Sequence, residues 1–108
     1  MRQTEKKVID IASVFTRFPA GRYREDGPFS GERFRDDLLI PALETHDRVT
    51  VNLDGTMGYG SSFLEEVFGG LLRKSSFSGQ DLNSRIELQS RDRSLVNEIR
   101  EYLTAARR

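Results

Sequence analysis

The stretch LDGTMGYGSSFLEEVFGGLLR, residues 53–73, decides the fold. It opens on the end of an alternating run. In VTVNLD, residues 49–54, Val49, Val51 and Leu53 point one way and Thr50, Asn52 and Asp54 the other, the two-residue period of a half-buried strand. It closes on Phe63, Leu64, Val67, Phe68, Leu71 and Leu72. Their spacing of i, i+1, i+4, i+5, i+8 and i+9 is one broad apolar stripe of a helix. Arg73 and Lys74 end that helix, where positive charge suits the dipole. A strand that turns through Gly55, Gly58 and Gly60 into an amphipathic helix is a unit of a layered α/β domain.

Upstream, KVIDI at residues 7–11 reads as a strand. Residues 12–29 are rich in Gly, Pro and charge and read as a loop, with room for a second strand around Arg22, Tyr23 and Arg24. Ser30 is a candidate N-cap. Behind it Phe34, Leu38 and Ala42 share a helical face, with Leu39 and Leu43 beside them, and Pro41 predicts a kink or break. Downstream, SSFSGQDLNS at residues 75–84 reads as a polar linker. Ile86 and Leu88 alternate with Glu87 and Gln89 in a short strand. A last helix begins near Asp92 and carries Leu95, Val96, Ile99, Tyr102, Leu103 and Ala106 on one side. The expectation is a small α/β sheet of about four strands, with about three helices packed on it and right-handed crossovers between parallel neighbours.

The length of 108 residues predicts one domain, residues 1–108, and 36% hydrophobic residues allow it one modest core. Apolar runs of only a few residues predict no membrane span. MRQTEKKVIDIA has no apolar segment behind its basic residues and does not read as a secretory signal. The absence of cysteine excludes disulfide and thiol chemistry and fits a cytoplasmic location. Lys plus Arg and Asp plus Glu are 17 each, a formal net charge of zero. That argues against nucleic acid, whose binders carry a basic excess, and Arg107-Arg108 reads as a solvated tail. The letters show no internal repeat and no low-complexity segment.

The serine pair has two readings. Ser62-Phe63-Leu64-Glu65 fits the capping box, the serine hydroxyl accepting one amide while the glutamate reaches back to another. That leaves Ser61 unused at the mouth of a helix, where free amides and the dipole favour an anion. A phosphoserine there would add a charge of about −1.5 to −2, opposed by Glu65 and Glu66 within a turn. Gly69-Gly70 inside the same helix costs about 1 kcal/mol per glycine relative to alanine. The pair calls for close packing against the sheet or for a partner near the backbone.

Other candidates are weaker. His46, the one histidine, follows a helix and has no second ligand at zinc spacing, so no metal site is expected. Asp54-Gly55 stands at a strand end, where α/β enzymes place ligands, but no histidine or cysteine lies near to complete a mechanism. GTMGYGSS lacks the lysine of a phosphate loop. Arg22, Arg24 and Arg33 flank REDGPFSGE and either pair with its acids or reach the serine turn, where a guanidinium fork suits a phosphate or carboxylate.

From Val49 to Leu72 the chain resembles the central strand–turn–helix of STAS domains, the anti-sigma factor antagonist fold. There a strand ending in L-D-L-S is followed by D-S-S-G at a helix start. Here the strand ends in Leu53-Asp54-Gly55 and Ser61-Ser62 falls at the same distance beyond it, with Gly60 in place of the acidic residue and Phe63 in place of the glycine. Over nearly the whole chain the likeness is to the STAS-like domain family of unknown function, carried by FPAGRYREDGPFSGERFRDDLLIPAL (residues 18–43) and VTVNLDGTMGYGSSFLEEVFGGLLR (residues 49–73).

The resemblance implies a mixed sheet and a non-enzymatic, phosphorylatable switch without cofactor. Its partner would be a serine kinase of the histidine-kinase-like ATPase fold, since family members look as though they work beside or fused to such ATPases. Ser61 matches the phosphorylated serine. The partner-facing residues are expected to be Gly58, Gly60, Ser61, Ser62, Phe63 and Glu66. The loss of the acidic residue at Gly60 favours an alternative, an unphosphorylated scaffold or interaction module. A small-ligand or nucleotide-binding domain is the third reading.

Overall fold

Three strands carry the frame: β1 (Gln3–Asp10), β2 (His46–Asn52) and β3 (Ile86–Gln89). In the computed structural model, which describes residues 3–105, they lie side by side in that order, all parallel. Parallel neighbours need crossover connections. Helix α1, residues 31–45, makes the first. Helix α2, residues 61–74, and α3 (Gly79–Arg85) make the second, and α4 (Arg93–Ala105) follows β3.

With the strands in sequential order, right-handed crossovers put the helices of both connections on one face of the sheet. Burial follows that rule. Ile9 pairs with Val51 and Val49 with Ile86, and all four are buried against the helices. On the other face Lys6, Val8, Arg48 and Glu87 are exposed. That face is polar: Lys6 Nζ lies 3.3 Å from Glu87 and the Thr50 hydroxyl donates to the same carboxylate at 2.7 Å.

Both long helices contain a π-turn, at Arg35–Leu39 in α1 and at Glu65–Gly69 in α2. The apolar spacing explains them. Phe63, Val67 and Leu71 recur every four residues, and a regular α-helix turns about 40° too far in each such step. One wider turn returns the stripe to the core, and all three side chains are buried. Phe34, Leu38 and Ala42 repeat the pattern in α1. There the π-turn directly precedes Pro41 and supplies room for a ring that would otherwise meet the carbonyl of Asp37. The helix therefore continues to Thr45 rather than breaking.

The structure corrects three expectations. The sheet has three parallel strands among the described residues, not about four in a mixed sheet. The strand allowed at Arg22–Arg24 is a turn, because the Asp26 carboxylate takes the amides of Arg22 (3.1 Å) and Tyr23 (2.8 Å) that a ladder would need. The linker holds a helix, α3, whose N-cap Ser78 accepts from the Asp81 amide at 3.0 Å, so that with the short helical turn Ile11–Phe15 about five helices stand among the described residues where about three were expected. Ala106, Arg107 and Arg108 lie outside the described residues.

Arg85, at the end of α3, fastens the back of the fold. Its guanidinium donates to the carbonyls of Leu43 (2.5 Å), His46 (2.7 Å) and Asp47 (2.9 Å) and pairs with Asp81 at 3.0 Å. Those first carbonyls are the acceptors that the end of α1 leaves without helical partners. A side chain from another helix thus caps α1.

Candidate functional site

At the carboxyl end of β2 the chain leaves the sheet with the Leu53 amide still bonded to the Gln89 carbonyl at 2.9 Å. The turn to α2 is tied on all sides. Asn52 Oδ1 accepts the Asp54 amide (3.1 Å), Asp54 Oδ1 accepts the Arg91 amide (3.1 Å), and the Tyr59 hydroxyl returns to the Leu53 carbonyl (2.7 Å). The Met57 amide donates to the Arg17 carbonyl at 2.8 Å. Gly55 and Gly58 take φ of 95° and 117°, a region costly for any residue with a Cβ. Asp54, the strand-end carboxylate, is thereby a structural acceptor. Phe18 and Met57 stand exposed beside this turn.

Gly60 then adopts an extended conformation and α2 begins at Ser61, with no side chain capping it. The capping box read from Ser62 and Glu65 does not form. Glu65 is turned away to Arg73 Nη1 at 2.5 Å and Arg22 Nη1 at 2.6 Å, and two charge-assisted bonds outweigh one to an amide. The Arg73 guanidinium, with Arg22 behind it and against the cost of burial, holds Glu65 below the usual carboxylate range.

Gly58, Gly60, Ser61 and Ser62 are on the surface; Phe63 and Glu66 are each 1% exposed and belong to the interior. Four of the six residues expected to face a partner therefore present themselves. Glu66 instead completes a charged cluster between α1 and α2. Its carboxylate takes Arg35 Nη1 at 2.6 Å and Arg22 Nη1 at 3.1 Å, with Arg73 Nη2 at 3.7 Å.

This cluster accounts for Gly69-Gly70. A Cβ on Gly70 would sit 2.5 Å from Arg35 Nη1, and one on Gly69 would strike the Glu65 carboxylate. The glycines make room for the protein's own charges rather than for the sheet or a partner. Gly31, at the start of α1, instead admits the backbone of α2, where a Cβ would sit 2.6 Å from the Phe63 carbonyl.

One group at the serine turn was not legible in the sequence. Ser61 Oγ donates to Glu98 Oε2 of α4 at 3.4 Å, and the Tyr102 hydroxyl donates to the same oxygen at 2.5 Å. Burial first, and the Glu98 carboxylate after it, push the Tyr102 hydroxyl above its ordinary value. Glu65 and Glu66 are committed to arginines, so the carboxylate that would meet added charge at Ser61 is Glu98. It lies 37 residues away in the chain, and no local pattern announces it.

The remaining candidates are engaged elsewhere. Arg24 pairs with Asp37 at 2.8 Å, while Arg33 bonds the Pro28 carbonyl and lies over the rings of Phe29 and Phe15. Neither these nor Arg22 reaches Ser61. His46 Nδ1 lies 2.9 Å from Thr45 Oγ1, and among the described residues no group of three or more acids or histidines is placed to hold a metal. A pocket of about 370 Å³ opens at the opposite end of the sheet, between Asp47, Arg48, Ser84 and Arg85. Among the described residues no helix is long and apolar enough to cross a membrane.

Compared with known proteins, the chain matches a family model described as a STAS-like domain of unknown function over residues 30–94. No curated protein and no solved structure matches it.

Proposed function

The chain belongs to the STAS-like domain family of unknown function, and on that footing we propose that it is a non-enzymatic protein-interaction module. Its docking surface is the turn Gly58–Ser62 at the start of α2. Its partner is a histidine-kinase-like ATPase, and its affinity is set by phosphorylation of Ser61. The observation that carries this reading is the placement of Ser61: exposed, at an uncapped helix start, on a turn fixed at both ends. Rigid elements hold such a surface in register for a partner.

In the phosphorylation step the γ-phosphoryl group of ATP passes to Ser61 Oγ. The bond to ADP breaks, the bond to Oγ forms, and the hydroxyl proton leaves to a base of the kinase or to water. The test is the intact mass of the chain after incubation with ATP and lysate of its source organism, beside Ser61→Ala. One phosphoryl group added, and lost in the variant, is expected. No added mass removes the phosphorylation part of the reading.

A second reading, docking without phosphorylation, is favoured by one observation: the charged group nearest the Ser61 hydroxyl is a carboxylate, which disfavours a phosphate. Under that reading Ser61→Ala binds the partner as the native chain does. Under the first, Ser61→Glu weakens binding and leaves the fold intact.

A further inference from the structure

Helix α4 is held on two sides by different chemistry. On one, Arg100 donates to the Asn83 carbonyl (3.4 Å), the Asn83 side chain (3.2 Å) and the Ile86 carbonyl (2.9 Å), tying α4 to α3 and β3. Beneath, Ile99 and Leu103 are fully buried. On the other side Ser61 of α2 meets Glu98, which receives the hydroxyls of Ser61 and Tyr102, and lies against the Tyr102 hydroxyl itself. No cation pairs with Glu98 among the described residues. Its tie to α2 therefore depends on Ser61 offering a neutral O–H donor.

We infer that Glu98 couples charge at Ser61 to helix α4, so that modification of the serine loosens the α2–α4 side of the molecule from within. A phosphoryl group on Ser61 replaces the donor by an anion facing a carboxylate that has no counter-ion. Glu98 must turn away, and the Tyr102 hydroxyl goes with it or loses its acceptor. The Arg100 side and the buried Ile99 and Leu103 stay in place, so α4 shifts and opens locally without leaving the core. The device is a two-state contact biased by one charge. It rests on the reading of Ser61 as the regulated residue and adds what the charge does to the chain itself.

The test needs no partner. Amide hydrogen exchange across residues 94–102 is compared in the native chain, Ser61→Glu, Glu98→Gln and the double variant. Overall stability is the wrong readout, because a carboxylate at the first position of α2 also gains from the helix dipole. The expected result is about fivefold faster exchange in α4 for Ser61→Glu, shrinking in 1 M salt, which screens charges beyond about 3 Å. In the double variant exchange returns to that of Glu98→Gln alone. Ser62→Glu places the same charge one residue on, without the bond to Glu98, and leaves α4 unchanged.

Unaltered exchange in Ser61→Glu overturns the coupling, as does acceleration that persists in the double variant or appears equally in Ser62→Glu. Those failures leave docking at the Ser61 turn standing, since docking is read from partner affinity.

Discussion

Helix α2 meets two neighbours in opposite ways. Against α1 it buries a charged cluster: Arg35 and Glu66 have side chains 2% exposed, with Arg22, Glu65 and Arg73 around them. Against α4 its start offers one exposed serine to one carboxylate without a counter-ion. The first seam is satisfied on every side, and among the described residues no buried polar side-chain atom lacks a partner. The second is adjustable. Carboxylates occur in both, but the surroundings assign them different work. In the interior a paired charge fixes one arrangement, because every alternative leaves it unpaired in a low dielectric. At the surface water takes up the slack and rearrangement is cheap.

The largest expected effect breaks the interior seam. Glu66→Ala removes the buried carboxylate facing Arg35 Nη1 and leaves that guanidinium with Asp36 at Nε (2.8 Å) and the backbone carbonyl of residue 66, and should cost about 3 kcal/mol in denaturant unfolding. Replacing both, as Arg35→Met with Glu66→Leu, should recover most of that loss, since a buried pair is often matched by apolar groups of similar volume. A double variant as unstable as the single one would show that the seam depends on the charges themselves. Next comes Gly31→Ala, which drives a methyl against the Phe63 carbonyl and should cost about 1–3 kcal/mol.

Acid titration probes the same seam at its rim. Glu65 sits below the usual carboxylate range, Arg73 being the first cause. A group depressed in the folded state contributes stability that is fully present above its unfolded value, about 4.3 for glutamate, and lost as pH falls through the folded one. Unfolding measured below about pH 4.3 should therefore steepen in the native chain and flatten in Glu65→Gln. The smallest effect belongs to the surface seam. Ser61→Ala and Glu98→Gln should each change global stability by no more than about 0.5 kcal/mol, a contrast with Glu66→Ala that defines the difference between the seams.

The parts of the fold readable from the sequence were those written in local periods. Val49, Val51 and Leu53, the stripe from Phe63 to Leu72, and the start of α4 at Asp92 all lie where alternation, spacing and capping put them. Asp26 defeated the expected strand at Arg22 because an Asx-type side chain competes for backbone amides. Helix α3 was read as linker because its cap, Ser78 accepting from the Asp81 amide, lies inside a polar run. At the site, Ser61 was visible as a residue outside the capping box, and its exposure follows from the helix start. Its partner Glu98 was not, nor was the diversion of Glu65 to Arg22 and Arg73. Such contacts join elements distant in sequence, and only the packed arrangement selects among the many acids and arginines of a chain that is 31% charged.

The four-residue spacing has a consequence for length. A π-turn is an α-helix with one residue of surplus, and both long helices store that surplus beside the same seam. Elsewhere in α1 or α2, removing a residue would rotate everything after it by about 100° and carry the apolar stripe out of the core. Within residues 35–39 or 65–69 the loss would be absorbed, the wide turn closing to a regular one while the flanking turns keep their facing. These two helices thus carry built-in slack, and it lies at the places where the interior charges are packed.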